Sequence, residues 1–180
     1  PLNPMQNDPS VANVRTDGIA NTNIVWHGGK LLALVESHAP FEIDPESLNS
    51  IGPWTFQDKL SGPMTAHPKI DPESGEMLFF AYNADPENRV SSRMAFHKAD
   101  KHGNLVHSEF FDAPYSAMVH DFIVTKEHVI FPIMPLTSSM ERAMGGGSLY
   151  AWDPSKNSYI GIMPRDGCSS DLRWFEGDPA

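Results

Sequence analysis

Two histidines stand out by their surroundings. His67 lies in the segment TAHPKIDP (65–72) and His120 in the segment MVHDFIVT (118–125). Each opens a short extended segment, followed by a turn and a longer apolar strand, over 77–81 and 129–133. The two histidines are 53 residues apart, about the length of a four-stranded propeller blade, roughly 40–50 residues. We interpret them as one position in two copies of a repeated unit, and imidazole is a common metal ligand.

A third copy of the unit precedes these two. Thr22 lies 45 residues before His67, in NTNIVWHGGKLLALVE (21–36), which has the same order of short strand, turn and apolar strand, here over 31–35. Equivalent residues of consecutive blades face a common axis. The spacing therefore places Thr22, His67 and His120 around that axis and predicts a metal centre there.

The residues around the histidines fit strand edges. Pro68 holds His67 in an extended conformation and has no N–H to give to a sheet, as expected for an edge strand. A histidine before a proline is more often structural than a ligand, so the matching position of His120 is what favours ligation. Alternation over 118–125 predicts Met118, His120 and Phe122 on one face. An imidazole there needs partners for both nitrogens, and a metal with a carboxylate would supply them.

Glu36 is the candidate carboxylate. It ends the apolar run LLALVE (31–36), where an unpaired charge is costly. One interpretation is a strand-end carboxylate that reaches water. The other is an acceptor for the free N–H of a ligating histidine, which fixes the orientation and tautomer of the ring.

Other candidate sites in the chain are weaker. His97, His102 and His107 surround a predicted hairpin turn, so we expect their rings to diverge. The glycines at 145–147 lack the Lys-Ser/Thr of a phosphate loop, and there is no G-x-S-x-G motif. Cys168 is the only cysteine, which excludes an internal disulfide and a zinc site built from several cysteines.

The amino-acid composition limits the kinds of partner that the chain can bind. The 13 basic and 23 acidic residues give a net charge of −10, which disfavours binding to nucleic acid phosphates. No run reaches the ~18 apolar residues of a membrane span, and no signal peptide pattern is visible. The single cysteine fits a reducing cytoplasm. Because the chain starts at Pro1 without a Met and stops shortly after an apolar strand begins, we expect it to be a piece of a longer protein.

Turn signals and strand-length segments alternate from residue 21 onward. The 16 prolines and 13 glycines favour an all-β fold of many short strands, and the only helical candidate, 138–144, is short. We predict an entry loop over 1–20 and a partial β-propeller of about three to four blades over 21–180, as part of a single larger catalytic domain. A β-sandwich is the alternative fold.

Five motifs in order resemble one family. The segments around Thr22, Glu36, His67 and His120 are four of them, and MPRDG (163–167) followed by RWFE (173–176) is the fifth. Together they are similar to the carotenoid cleavage oxygenases, which include the lignostilbene dioxygenases. The resemblance implies a seven-bladed propeller with one non-haem Fe(II), held at its axis by four histidines, that uses O₂ to split a C=C bond into two carbonyls. It implies that His67 and His120 are two of the ligands. It further implies that Glu36 supports His120 and that the methyl group of Thr22 crowds a vacant coordination position. The residues alone leave Zn, Cu and Ni open.

The chain departs from the family pattern in two ways. The third and fourth histidines are absent, so we expect the remaining ligands in missing C-terminal sequence and expect this chain alone to be inactive. Val35 stands where phenol-cleaving members carry a lysine, which favours a carotenoid or apocarotenoid over a lignostilbene or phenylpropenoid. Phe122 is predicted to line the O₂ and substrate pocket, with a role in the core as the alternative.

Two other function classes stay open. One is a propeller that has lost catalysis and serves as a binding module, and the other is a zinc hydrolase, for which no H-E-x-x-H motif is present. Some members of the family dock on membranes, so the resemblance also allows a peripheral membrane contact of the longer protein.

Overall fold

The computed structural model describes residues 19–88 and 90–179. Every described strand pairing is antiparallel, and the strands form three four-stranded sheets and one two-stranded hairpin. We number the sheets as blades I to III in chain order. Most of the predicted entry loop, residues 1–18, lies outside the described residues.

Each blade is built from strands that follow one another in the sequence. Blade I contains β1 (Asn23–His27), β2 (Lys30–Leu34), β3 (Phe41–Ile43) and β4 (Ser50–Pro53). Blade II contains β5 (Lys69–Ile70), β6 (Met77–Ala81), β7 (Arg93–Ala99) and β8 (Leu105–Asp112). Blade III contains β9 (Ile123–Val124), β10 (His128–Ile133), β13 (Asn157–Pro164) and β14 (Arg173–Pro179).

An insertion interrupts blade III between β10 and β13. It consists of β11 (Leu136–Ser138), helix α1 (Met140–Met144) and β12 (Tyr150–Trp152), and β11 pairs with β12. A short 3-10 helix, Ser169–Asp171, leads into β14. Among the described residues, no helix has the length and apolar character needed to cross a membrane.

The turns follow from a few residue types. Gly28 and Gly29, with φ of 57° and 75°, join β1 to β2 in two residues, the conformation that a tight hairpin requires. A Cβ on Gly28 would lie 2.7 Å from Gly103 Cα. The first hairpin of blade I therefore touches the β7–β8 turn of blade II, and a side chain at position 28 would clash with it.

An aspartate begins several other turns. Asp71 is typical, because its Oδ1 accepts the N–H groups of Glu73 at 2.8 Å and Ser74 at 3.0 Å. These bonds replace those that the turn cannot make within the sheet. The Ser74 N–H first, and then the Arg165 guanidinium, lower the pKa of Asp71 to about 2. The same local N–H bonds recur at Asp44, Asp100 and Asp153.

The core lies between the blades, and β6 contributes to it on both faces. Its five residues, MLFFA, are all buried. Met77 and Phe79 face blade I and pack with Leu32 and Leu34, whereas Leu78 and Phe80 face blade III. The sequence of a strand that is buried on both faces is continuously apolar, without the alternation of apolar and polar residues. Blade II is thus the middle of three blades packed face to face, as in a propeller, whereas a sandwich has two sheets.

Aromatic rings pack together on both faces of β6. Phe79 stacks on Phe56 with ring centroids 5.3 Å apart. On the other face, Phe80 contacts Phe122 at 5.0 Å and Phe131 at 6.2 Å. Each such ring buries a large apolar area.

The predicted alternation across 118–125 was wrong. Only 123–124 form a strand, and Val119 and Phe122 are both buried while His120 between them is exposed. Asp121 causes the change of phase, because its Oδ1 accepts the N–H of Phe122 at 2.8 Å and so turns the chain. His120 therefore points away from the face that carries Phe122.

Replacing Phe79 by alanine tests the packing between blades. We expect Phe79→Ala to lower the free energy of unfolding by about 3–5 kcal/mol, because the ring is fully buried and its removal leaves a cavity that the surrounding side chains fill only in part. Val106→Ala on the exposed face of β8 is the control and should change it by less than about 0.5 kcal/mol. Chemical denaturation measures both, and equal effects would contradict this account of the core.

Asp71→Asn tests the turn carboxylate. Because the folded-state pKa of Asp71, about 2, is below its usual ~3.9, its contribution is fully present above about pH 4. It is lost as the pH falls toward 2. Asparagine keeps the oxygen acceptor but does not titrate, so the thermal midpoint of the variant should fall less steeply between pH 4 and 2 than that of the wild type. Glu127→Gln, at an exposed turn position, should leave the slope unchanged.

Candidate metal centre

The three positions predicted to be equivalent all lie just before the first strand of a blade. Thr22 precedes β1, and its N–H donates to Leu34 O at 3.0 Å. His67 precedes β5, and its N–H donates to Thr65 Oγ1 at 3.0 Å. His120 precedes β9. β1, β5 and β9 are all edge strands of their sheets. The three residues therefore lie at sheet edges, where no further strand of the same sheet covers them.

The two histidines meet across the boundary between blades II and III. Their Nε2 atoms are 3.0 Å apart, and the rings are tilted at 66°. Two nitrogens bound at ~2.1 Å and at right angles to one ion are ~3.0 Å apart, whereas a tetrahedral ion would place them at ~3.4 Å. The two nitrogens are therefore close enough to bind one ion, and the same separation also fits an N–H···N hydrogen bond between the rings, so the distance does not identify the metal.

Glu36 lies on the other side of His120. Its Oε1 accepts from His120 Nδ1, and its side chain is only 14% exposed, so it does not reach into open water. The two nitrogens of an imidazole point to opposite sides of the ring. A carboxylate at Nδ1 is therefore a hydrogen-bond partner of the ring and not a ligand of an ion at Nε2, and the Nε2 lone pair is left free for that ion.

Tyr82 extends this network, and the sequence reasoning missed it. Its hydroxyl donates to Glu36 Oε2 at 2.8 Å, so each oxygen of the carboxylate has a partner. Burial raises the pKa of Tyr82, with Tyr150 and Glu36 adding to the effect, and the hydroxyl stays a neutral donor. The available signal was the position of Tyr82 directly after β6, where a buried apolar strand ends in a side chain with a polar tip.

A cavity of about 770 Å³ opens beside this network. The insertion in blade III forms one wall of it. That wall is fixed to the chain just before His120, because Met118 N donates to Leu136 O at 2.9 Å and Ser138 N to Ser116 O at 3.1 Å. The lining includes Thr22, Val35, Glu36, Tyr82, Met118, His120, Met140, Leu149 and Tyr150.

Phe122 does not line this cavity. It is buried between blades II and III against Phe80 and Phe131, which is the core position named as the alternative. It instead borders a second hollow of about 620 Å³ beside Lys69 and Lys126.

The rival histidines form no such cluster. His97 is buried, its Nδ1 contacts Ser108 Oγ at 2.8 Å, and burial, with His107 nearby, lowers its pKa to about 4. Within residues 19–88 and 90–179, Glu36, His67 and His120 are the only group of three or more His, Cys, Asp or Glu residues with ligand atoms mutually within 4.8 Å.

Tyr82→Phe tests the hydrogen bond to Glu36. A bond to a charged acceptor contributes about 1.5–3 kcal/mol, and one to a neutral acceptor about 0.5–1.5 kcal/mol. We therefore expect Tyr82→Phe to destabilise the protein more than Tyr115→Phe, which removes a bond of 2.9 Å to the carbonyl of Asn157. Equal losses in chemical denaturation would argue against an ionised Glu36 at this position.

Comparison with known proteins shows the family to which this chain belongs. Residues 2–180 match the family described as RPE65, retinal pigment epithelial membrane protein. The isoeugenol monooxygenase of Pseudomonas putida is 44% identical over 175 residues, which cover 96% of this chain and 36% of that protein. Carotenoid cleavage oxygenase 1 of Neurospora crassa is 42% identical over 159 residues, 87% of this chain and 30% of that protein.

Solved structures agree. The lignostilbene dioxygenase of Pseudomonas brassicacearum superposes with a TM-score of 0.86 at 39% identity, over 99% of this chain and 36% of that one. Cobalt-substituted ACO of Synechocystis superposes with a TM-score of 0.77 at 30% identity, over 91% and 35%. The chain thus spans about a third of the length of the relatives it matches. It is an all-β segment of a propeller and belongs to the RPE65/carotenoid oxygenase family.

Proposed function

We propose that the protein containing this chain is a non-haem Fe(II) dioxygenase that cleaves a C=C bond with O₂ to give two carbonyl products. The observation that carries the proposal is the convergence of His67 Nε2 and His120 Nε2 at 3.0 Å. They meet beside a cavity of about 770 Å³, with Glu36 on the far nitrogen of His120. Relatives named as an isoeugenol monooxygenase, a carotenoid cleavage oxygenase and a lignostilbene dioxygenase support an oxygenase reaction.

The residues have separate tasks in this proposal. His67 and His120 bind the ion through Nε2, and the other ligands come from parts of the protein outside this chain. Glu36 holds the proton at His120 Nδ1, which fixes the tautomer and makes the ring a better donor. Tyr82 holds Glu36 in place. Fe(II), when bound, supplies the reactivity toward O₂ that these side chains lack.

The cavity would position the alkene beside the two histidines. Its apolar members, among them Met118 and Leu149, favour an apolar substrate and exclude water. Thr22 borders the same cavity, and its methyl group would restrict access to one side of the ion. The residues of this chain would then contribute to catalysis by holding the ion and orienting the alkene.

Two substrate classes compete. Val35 places an apolar side chain next to Glu36 at the cavity wall, where a lysine would help to ionise a phenol. This favours a carotenoid or apocarotenoid. The 44% identity to an isoeugenol monooxygenase favours the second candidate, a phenylpropenoid or stilbene.

Metal binding and turnover test the proposal together. The intact protein, stripped with a chelator, should bind one equivalent of Fe(II) under nitrogen, and His67→Ala or His120→Ala should weaken binding at least about 100-fold, since each removes a ligand. His102→Ala, at an exposed turn, is the control. The loaded protein should convert an apocarotenoid or isoeugenol into carbonyl products that contain ¹⁸O from ¹⁸O₂.

Each outcome is informative. Binding without an O₂-dependent product from either alkene would favour the binding module. Absence of stoichiometric metal would overturn the site itself. If Val35 sets the substrate class, Val35→Lys should shift the ratio of kcat/KM toward isoeugenol.

A further inference from the structure

A second contact joins the two segments that carry the histidines. Lys69 follows His67 by two residues, and Asp121 directly follows His120. Lys69 Nζ lies 2.7 Å from Asp121 Oδ1, so the ion pair crosses from blade II to blade III next to the meeting point of the imidazoles.

Both members of the pair are anchored locally. Lys69 is part of β5, where it pairs with Leu78 of the buried strand β6, and its Nζ lies 5.6 Å from the ring centroid of Phe122. Asp121 Oδ1 also accepts the N–H of Phe122 at 2.8 Å. One carboxylate oxygen therefore holds both the turn that directs His120 outward and the lysine of the neighbouring blade.

Apart from the core packing beneath them, the other link between the two segments is indirect and lies beyond the far ends of β5 and β9, where Arg165 contacts Asp71 Oδ2 at 2.7 Å and Thr125 O at 3.5 Å. β5 and β9 are edges of different sheets, and in the part of the chain that the structure describes no backbone hydrogen bond joins 65–72 to 118–125. The remaining polar contact between them is that of the two imidazoles, which repel each other when neither nitrogen carries a proton to share.

We propose that Lys69 and Asp121 are positioning residues that set the separation of His67 Nε2 and His120 Nε2 before the ion binds. The inference rests on the proposed function, because it takes the two histidines as ligands. The pair is 34% and 49% exposed, and exposed pairs contribute little to global stability. The pair holds the two imidazoles in their binding positions before the ion arrives. The affinity for the ion increases, because less conformational entropy is lost on binding.

The chain offers a matched control. Arg93 and Asp112 form an ion pair of similar exposure, 40% and 63%, within blade II. Arg93 also lies 5.6 Å from an aromatic ring centroid, that of Phe110. This pair also combines an ion pair with a cation–ring contact, and neither residue adjoins His67 or His120 in the sequence.

The experiment titrates the chelated intact protein with Co(II) and records the dissociation constant and the visible absorption of the bound ion, which reports ligand geometry. Lys69→Met and Asp121→Asn should each weaken binding by about tenfold, at the lower end of the ~10–100-fold typical of groups that orient ligands, and should alter the spectrum. The double variant should be no weaker than the weaker single variant, since both remove one interaction. Lys69→Arg should restore binding.

The control variants Arg93→Met and Asp112→Asn should bind Co(II) with wild-type affinity and spectrum. The inference is overturned if Lys69→Met and Asp121→Asn behave like these controls, or if their effects add in the double variant. If His67→Ala and His120→Ala also bind Co(II) as tightly as the wild type, the proposed function fails as well. If the Lys69 and Asp121 variants bind normally but the histidine variants do not, only the positioning role is contradicted, and the histidine site still stands.

Discussion

Packing on both faces of β6 is the interaction on which the rest of this structure depends. Phe79 and Phe80 are neighbours in sequence and point to opposite faces of one strand, so one joins blade II to blade I and the other joins it to blade III. Hydrophobic contact is not directional, but the size and interlocking of the aromatic rings restrict how the blades can pack. The histidines meet only because that packing places the starts of β5 and β9 side by side.

Ion pairs between blades II and III add to the contacts that the core makes. Beside the histidines, Lys69 and Asp121 connect blades II and III. Near the hairpin turns at the other end of β5, Arg165 lies 2.7 Å from Asp71, and Lys98 pairs with Asp166. Arg165 and Asp166 belong to the motif MPRDG, so part of this family resemblance reflects contacts between blades and not chemistry.

The site also shows how a propeller obtains a precise arrangement from edge strands. His67 and His120 lie outside the regular ladders, where the backbone is held by side-chain bonds and by neighbouring blades. Glu36 contacts His120 from the end of β2 in blade I, Tyr82 contacts Glu36 from the end of β6 in blade II, and the insertion in blade III borders the cavity on a third side. The groups around the cavity thus come from all three blades and from the insertion in blade III.

The sequence by itself determined the all-β class, the repeated unit and the positions of the strands after each histidine. Periodicity and turn residues are local properties, which explains why 77–81 and 129–133 were predicted at nearly their observed bounds. The pairing of His67 with His120 also followed from repeat spacing. The turn at Asp121 is local, but it departs from simple strand alternation. Tertiary structure alone decided that Phe122 packs in the core and that Tyr82 supports Glu36. These are contacts between blades, and the partners Glu36 and Tyr82 are 46 residues apart, which is beyond the reach of local periodicity.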